Sequence, residues 1–160
     1  MALLIKNLLF TFVVPGTVAV YVPLFIGRGH PRASGLALAG ALVILALGSS
    51  IYAWCVWDFA VFGRGTPAPI DAPKRLVMRG LYRYTRNPMY LGVVTVILGW
   101  AAFFESGVLL LYAVAVFAGF QLTVVLYEEP HLLREFGREY ENYRDRVGRW
   151  LPRERLGRGA

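Results

Sequence analysis

Only one cysteine, Cys55, stands in the chain, so no disulfide can form within it and cysteine usage says nothing of the redox compartment. Histidine is almost as scarce. His30 and His131 do not form a ligand set with Cys55, which excludes a zinc site on these residues. No internal repeat or low-complexity segment is evident. Acid is also short: 10 Asp and Glu against 17 Lys and Arg leave a net charge of +7. Such a surplus can serve nucleic acid. Here the arginines gather beside apolar runs, where they set membrane orientation and touch anionic headgroups, so no nucleic-acid partner is expected. The N-terminal apolar stretch follows Lys6 but lacks a small-x-small cleavage site, and it reads as a retained span.

What the chain does have is long hydrophobic runs. Apolar residues make up 57% of it, against about 45–50% in a soluble domain, and the mean hydropathy is +0.51. The expected fold is an all-α polytopic membrane helix bundle forming one domain. Four spans emerge: Leu8 to Ile26, interrupted by Pro15-Gly16 and Pro23; Ser34 to Phe62; Pro88 to Phe104; and Gly107 to Tyr127. The second exceeds the roughly 20 residues that cross a bilayer. It therefore tilts, projects into the headgroups near Asp58, or splits to give a fifth segment. Residues 1–62 thus carry two spans, 63–87 a loop, 88–127 a hairpin and 128–152 a surface helix. Leu132, Leu133, Phe136, Tyr140, Tyr143 and Val147 recur at spacings of three and four among charged residues, which predicts an amphipathic helix too polar to cross. Trp150 then suits an interfacial anchor.

Arginine and lysine are frequent in the middle loop and after the fourth span, and absent between spans three and four. The positive-inside rule places both termini and the middle loop in the cytoplasm. Two polar clusters then meet on that side. One is Arg86-Asn87-Pro88, where asparagine suits an N-cap and proline the first helical position. Such a start is common at a membrane surface, and its free N–H groups also suit a carboxylate or phosphate. The other is Glu128-Glu129-Pro130. Two acids at the C-terminal end of a span oppose the helix dipole, unless Pro130 opens a new helix and the acids sit at its start. Their functional reading is a negative site for a cation or a sugar diol. Tyr82, Tyr84 and Tyr90 read as an interfacial belt or as walls around a cationic ligand. His131 reads as a solvated residue of the surface helix or as a base. A ligand with a carboxylate, a cationic centre and a ribose would suit this set. S-adenosylmethionine has all three, although spacing alone does not define it.

Leu76-Val77, Gly80-Leu81-Tyr82, Arg86-Asn87-Pro88-Met89-Tyr90-Leu91-Gly92, Glu128-Glu129, Phe136-Gly137-Arg138-Glu139-Tyr140 and Tyr143 to Val147 occur in that order. With these motifs the second half of the chain, from about Gly65 to Pro152, resembles the isoprenylcysteine carboxyl methyltransferase family and the related phospholipid methyltransferases. The resemblance implies an integral membrane enzyme that uses S-adenosyl-L-methionine, releases S-adenosyl-L-homocysteine, and keeps its cofactor pocket at the cytoplasmic face. It implies cofactor contacts at Lys74, Arg75, Leu76, Val77, Tyr82, Arg86, Asn87, Pro88, Met89 and Tyr90. It sets Glu128 and Glu129 beside cofactor and acceptor, as base or as binding groups. Two departures stand out. The family's eukaryotic members usually have histidine at the position of Asn87. They also have an arginine one turn before the glutamates, where this chain has Val124-Val125, so a carboxylate acceptor would lack its charge partner. The expected partners are membrane lipid and a lipophilic or small-molecule acceptor, whether thiol, amine or carboxylate. The alternative class is a non-catalytic scaffold or lipid-binding protein of the same fold. A third reading, a relative of the sterol reductases using a nicotinamide cofactor, is disfavoured by the short chain.

Overall fold

The computed structural model describes residues 13–63 and 76–153, and the regular elements among them are helical. α1 is Val13–Ile26. α2 is Gly35–Asp58, prolonged by a wide π-type turn at Phe59–Gly63. A short 3-10 turn, Gly80–Arg83, precedes α3, Pro88–Phe103. α4, Gly107–Thr123, passes through a second wide turn, Val124–Glu128, into α5, Glu129–Phe136. α6 is Arg138–Arg146.

Two helical rods, Gly35–Phe62 and Gly107–Phe136, have 28 and 30 residues, and an 18-residue stretch of each reaches a mean hydropathy of 2.1 and 2.3. At about 1.5 Å per residue, either outruns a hydrocarbon core about 30 Å thick. α1 and α3 are apolar but shorter. Large apolar side chains face outward along both rods, among them Leu36, Val43 and Trp57 on one and Leu111, Val114 and Leu126 on the other. A surface of this kind suits lipid rather than water.

Between α2 and α3 the backbones themselves touch. A methyl group added at Gly48 would stand 2.7 Å from the Val96 nitrogen, one at Gly92 3.0 Å from the Tyr52 nitrogen, and one at Gly99 2.9 Å from the Leu45 nitrogen. Gly92 and Gly99, a heptad apart, share one helix face and let the two helices close. The sequence leaves open whether they meet a helix of this chain or of another, and here they meet α2. Val93, Val96 and Ile97 of α3 pack with Ala113 of α4 and Ala19 of α1. The Tyr112 hydroxyl donates to the Val18 carbonyl at 2.9 Å and ties α4 to α1.

Several expectations are corrected. Pro15-Gly16 and Pro23 do not interrupt α1, because a wide turn at Thr17–Tyr21 accommodates them within a continuous helix. Pro130 does not separate a span from a surface helix either. The wide turn just before it makes room for the ring, and the rod runs on to Phe136. Glu128 and Glu129 therefore lie inside a continuous helix, and their supposed conflict with a helix end disappears. The predicted single amphipathic helix is two, parted at Gly137, whose φ of +49° suits glycine. The apolar spacing nevertheless does what it predicts: Leu132, Phe136, Tyr140, Tyr143 and Val147 pack together, and Leu76 and Met78 of the loop join them. Asp58 does not project into headgroups but is 3% exposed. Trp150 is no free anchor. Its indole N–H donates to Gln121 Oε1 at 2.7 Å and its ring lies 4.8 Å from that of Phe117, both on α4.

Candidate functional site

α3 starts where proline fixes the first helical φ. Asn87 occupies the N-cap position, yet its side chain makes no capping bond. Its amide Nδ2 donates instead to the Arg149 carbonyl at 3.1 Å. Thr85 Oγ1 donates to the same carbonyl at 2.9 Å and accepts the Asn87 N–H at 3.3 Å. The Arg86 N–H donates to the Gly148 carbonyl at 2.9 Å. The residues just before α3 are thus stitched to the residues just after α6.

That stitching carries Arg149 to Glu129. Arg149 Nε and Nη2 donate to the two carboxylate oxygens at 2.6 and 3.0 Å, a bidentate pairing. Arg86 Nη1 stands 3.0 Å from the same carboxylate and also donates to the Tyr140 hydroxyl at 3.0 Å. The Arg86 side chain is only 9% exposed. Glu129 is therefore clamped by two guanidinium groups from two different segments.

Glu128 lives differently. It lies one residue earlier on the helix, about 100° around the axis. Its partner is the Tyr90 hydroxyl, which donates to Oε1. The Tyr90 ring stacks on Phe120, centroids 4.3 Å apart. No cation is paired with Glu128 among the described residues.

Beneath these groups the 3-10 turn buries Tyr82 against Cys55, Val77, Met89 and Phe59. Its carbonyl accepts the Tyr143 hydroxyl at 2.7 Å. Burial pushes the phenols of Tyr82, Tyr140 and Tyr143 up, and the hydrogen bonds that Arg149 donates to Glu129 push its guanidinium up. The three tyrosines therefore keep their protons at neutral pH, where they donate hydrogen bonds and do not act as bases. Asp58 closes the same floor. Arg79 Nε lies 3.9 Å from Oδ1, and Oδ2 is buried without a hydrogen-bond partner among the described residues. Gly80, with φ +56°, lies against that oxygen, and any β-carbon there would overlap it.

Of the residues predicted from sequence, Arg86, Asn87, Pro88, Met89, Tyr90, Tyr82, Val77, Glu128 and Glu129 are brought into this one region, and Leu76 packs at its edge on Tyr140 and Tyr143. Lys74 and Arg75 lie outside the described residues. His131 stacks on Tyr127, centroids 6.0 Å apart, and joins none of the contacts at Glu129. Sequence reasoning missed Arg149, Thr85 and Asp58 as parts of the site. Arg149 reads as one more topology charge, and only its place beside Trp150, after a predicted amphipathic segment, could have singled it out. Val124, where the resemblance would put an arginine, is 1% exposed.

The model of one family, described as phospholipid methyltransferase, matches residues 36–139. The match takes in α2 through α5 and both glutamates, and stops short of Tyr140, Tyr143 and Arg149. Curated proteins give no match to the chain.

Proposed function

The chain belongs to the phospholipid methyltransferase family, and from that premise we propose that it transfers a methyl group from S-adenosylmethionine to the amine of a lipophilic acceptor. The observation that carries this reading is the unequal treatment of the two glutamates. Glu129 is neutralised by Arg86 and Arg149, whereas Glu128 has only the Tyr90 hydroxyl.

The polar set fits the cofactor: Arg86 Nε and Asp58 Oδ2 are buried and unpartnered among the described residues. Arg86, Asn87 and Glu129 would hold its polar parts, and Val77, Tyr82, Met89 and Tyr90 its flat and cationic parts. When bound, S-adenosylmethionine supplies an electrophilic methyl group. The protein's residues do the rest. Glu128 attracts the cationic headgroup of an acceptor and accepts the proton that its amine sheds. The apolar walls align the reactants and keep water out. A carboxylate acceptor is disfavoured, because Val124 offers it no charge partner.

The two long rods, with α1 and α3 beside them, would make four membrane segments. Arginine placement argues for both termini and the site on the cytoplasmic side. The acceptor would enter sideways from the bilayer.

Membranes containing the protein, incubated with methyl-labelled cofactor and extracted, should yield a labelled lipid amine by mass. Glu129→Gln should abolish it. Absence of labelled lipid from wild-type membranes overturns the reading. One observation favours a non-catalytic scaffold instead: two arginines already satisfy Glu129, as a purely structural clamp would. The same extraction separates the two readings.

A further inference from the structure

Residues 148–151 double back on themselves. A β-carbon on Gly148 would stand 2.0 Å from the Leu151 carbonyl oxygen, so glycine is what lets the main chain fold this tightly. Arg149 and Trp150 form the tip of that turn, and both reach the α4–α5 rod at different heights. Arg149 pairs with Glu129. The Trp150 indole N–H donates to Gln121 Oε1, and its ring packs on Phe117. Gln121 and Glu129 are eight residues apart on that rod, roughly 12 Å along a helix. The base of the turn faces the other way. There the Gly148 carbonyl accepts the Arg86 N–H, and the Arg149 carbonyl accepts Thr85 and Asn87. One turn thus joins the start of α3, Glu129 and the body of α4.

The two prongs differ in stiffness. The Arg149 side chain is long and 32% exposed, so burial alone does not fix its fork. Charge alone does not demand it either, because Arg86 already faces Glu129. Trp150 is a rigid ring with one directional donor, and an indole N–H taken from water needs an acceptor. Gln121 supplies it and is the one carboxamide in α4, an otherwise mostly apolar helix. A polar group placed there is costly unless it has a partner.

We propose that Trp150 is a positioning residue: seated on α4 by Gln121 and Phe117, it holds the neighbouring Arg149 fork on the Glu129 carboxylate. This goes beyond the methyltransferase reading, which uses Arg149 and Glu129 but neither Gln121 nor Trp150. Only the binding arm of its test rests on that reading.

The first arm is hydrogen exchange of the detergent-purified full chain without ligand. Gln121→Leu should speed exchange of the Arg86 amide about fivefold, as expected for one neutral hydrogen bond lost. Trp150→Phe, which keeps a ring against Phe117, should do the same. Gln121→Glu keeps an acceptor of equal length and should restore the wild-type rate. Amides 93–97, in the α2–α3 seam, should keep their rates in all three variants. The second arm is calorimetry with S-adenosylhomocysteine. Gln121→Leu should weaken binding about fivefold in the wild-type background and add nothing to Arg149→Gln, where no fork is left to position. An unchanged Arg86 amide in Gln121→Leu, equal acceleration of the seam amides, or failure of Gln121→Glu to restore the rate would overturn the proposal. So would an equal loss of affinity from Gln121→Leu with and without Arg149→Gln. A wild type that binds no S-adenosylhomocysteine sinks the cofactor reading instead, and the exchange rates then decide the role of Trp150 by themselves.

Discussion

Between α2 and α3 the chain is held by backbone contact through Gly48, Gly92 and Gly99. At the end where α3 starts, it is held by polar groups: Asn87, Thr85 and Arg86 bonded to residues 148–149, and Glu129 gripped by Arg86 and Arg149. The first region depends on shape, and any added atom meets main chain. The second depends on hydrogen bonds and charges, which a ligand of matching chemistry can enter and replace. The seam supplies a fixed frame, and the polar end supplies the groups to which the proposed chemistry is assigned.

The largest effect should come from breaking the frame. Gly48→Val would drive side-chain atoms into the Val96 backbone and should cost about 3 kcal/mol, read as a lowered melting midpoint in detergent together with lost activity. Next comes Glu129→Gln, which keeps the shape but leaves Arg86 and Arg149 without their counter-charge. Methyl transfer should be abolished because the cofactor is no longer held in place, while the helical content by circular dichroism stays near wild type. If Gly48→Val and Glu129→Gln lowered stability and activity in the same proportion, the separation of frame and chemistry would collapse. Tyr90→Phe removes one hydrogen bond to a carboxylate and should slow transfer about tenfold with little change in melting. The smallest effect is expected at exposed Arg134, where Arg134→Gln should stay within about 0.5 kcal/mol of wild type and leave turnover unchanged.

The two regions also differ in how far the sequence reveals them. Helix spans are local signals. A run of apolar residues between charged loops reads directly, and Pro88 marks the start of α3 to the residue. Gly92 and Gly99 are visible in the sequence as packing positions, though not which helix they meet, since that depends on which helix the fold brings alongside; Gly48 has no such signal. In the polar end the motif residues could be named, because Arg86 to Tyr90 and Glu128-Glu129 stand out against their apolar flanks. Their partners could not. Arg149 reaches Glu129 across twenty positions through a helix break at Gly137 and a bridge to Thr85, and neither has a periodic signature. Asn87 announces a cap and then bonds elsewhere. Asp58 looked like a headgroup residue because its burial arises from Gly80, which arrives from a separate loop.

The central claim is that residues at the start of α3 and at the α4–α5 junction hold one cofactor between them. Titration calorimetry with S-adenosylhomocysteine on detergent-purified wild type and Glu129→Gln tests it most directly. The account predicts saturable heat from the wild type and none from the variant at the same concentrations. A wild type that gives no heat, or a variant that binds equally well, would contradict it.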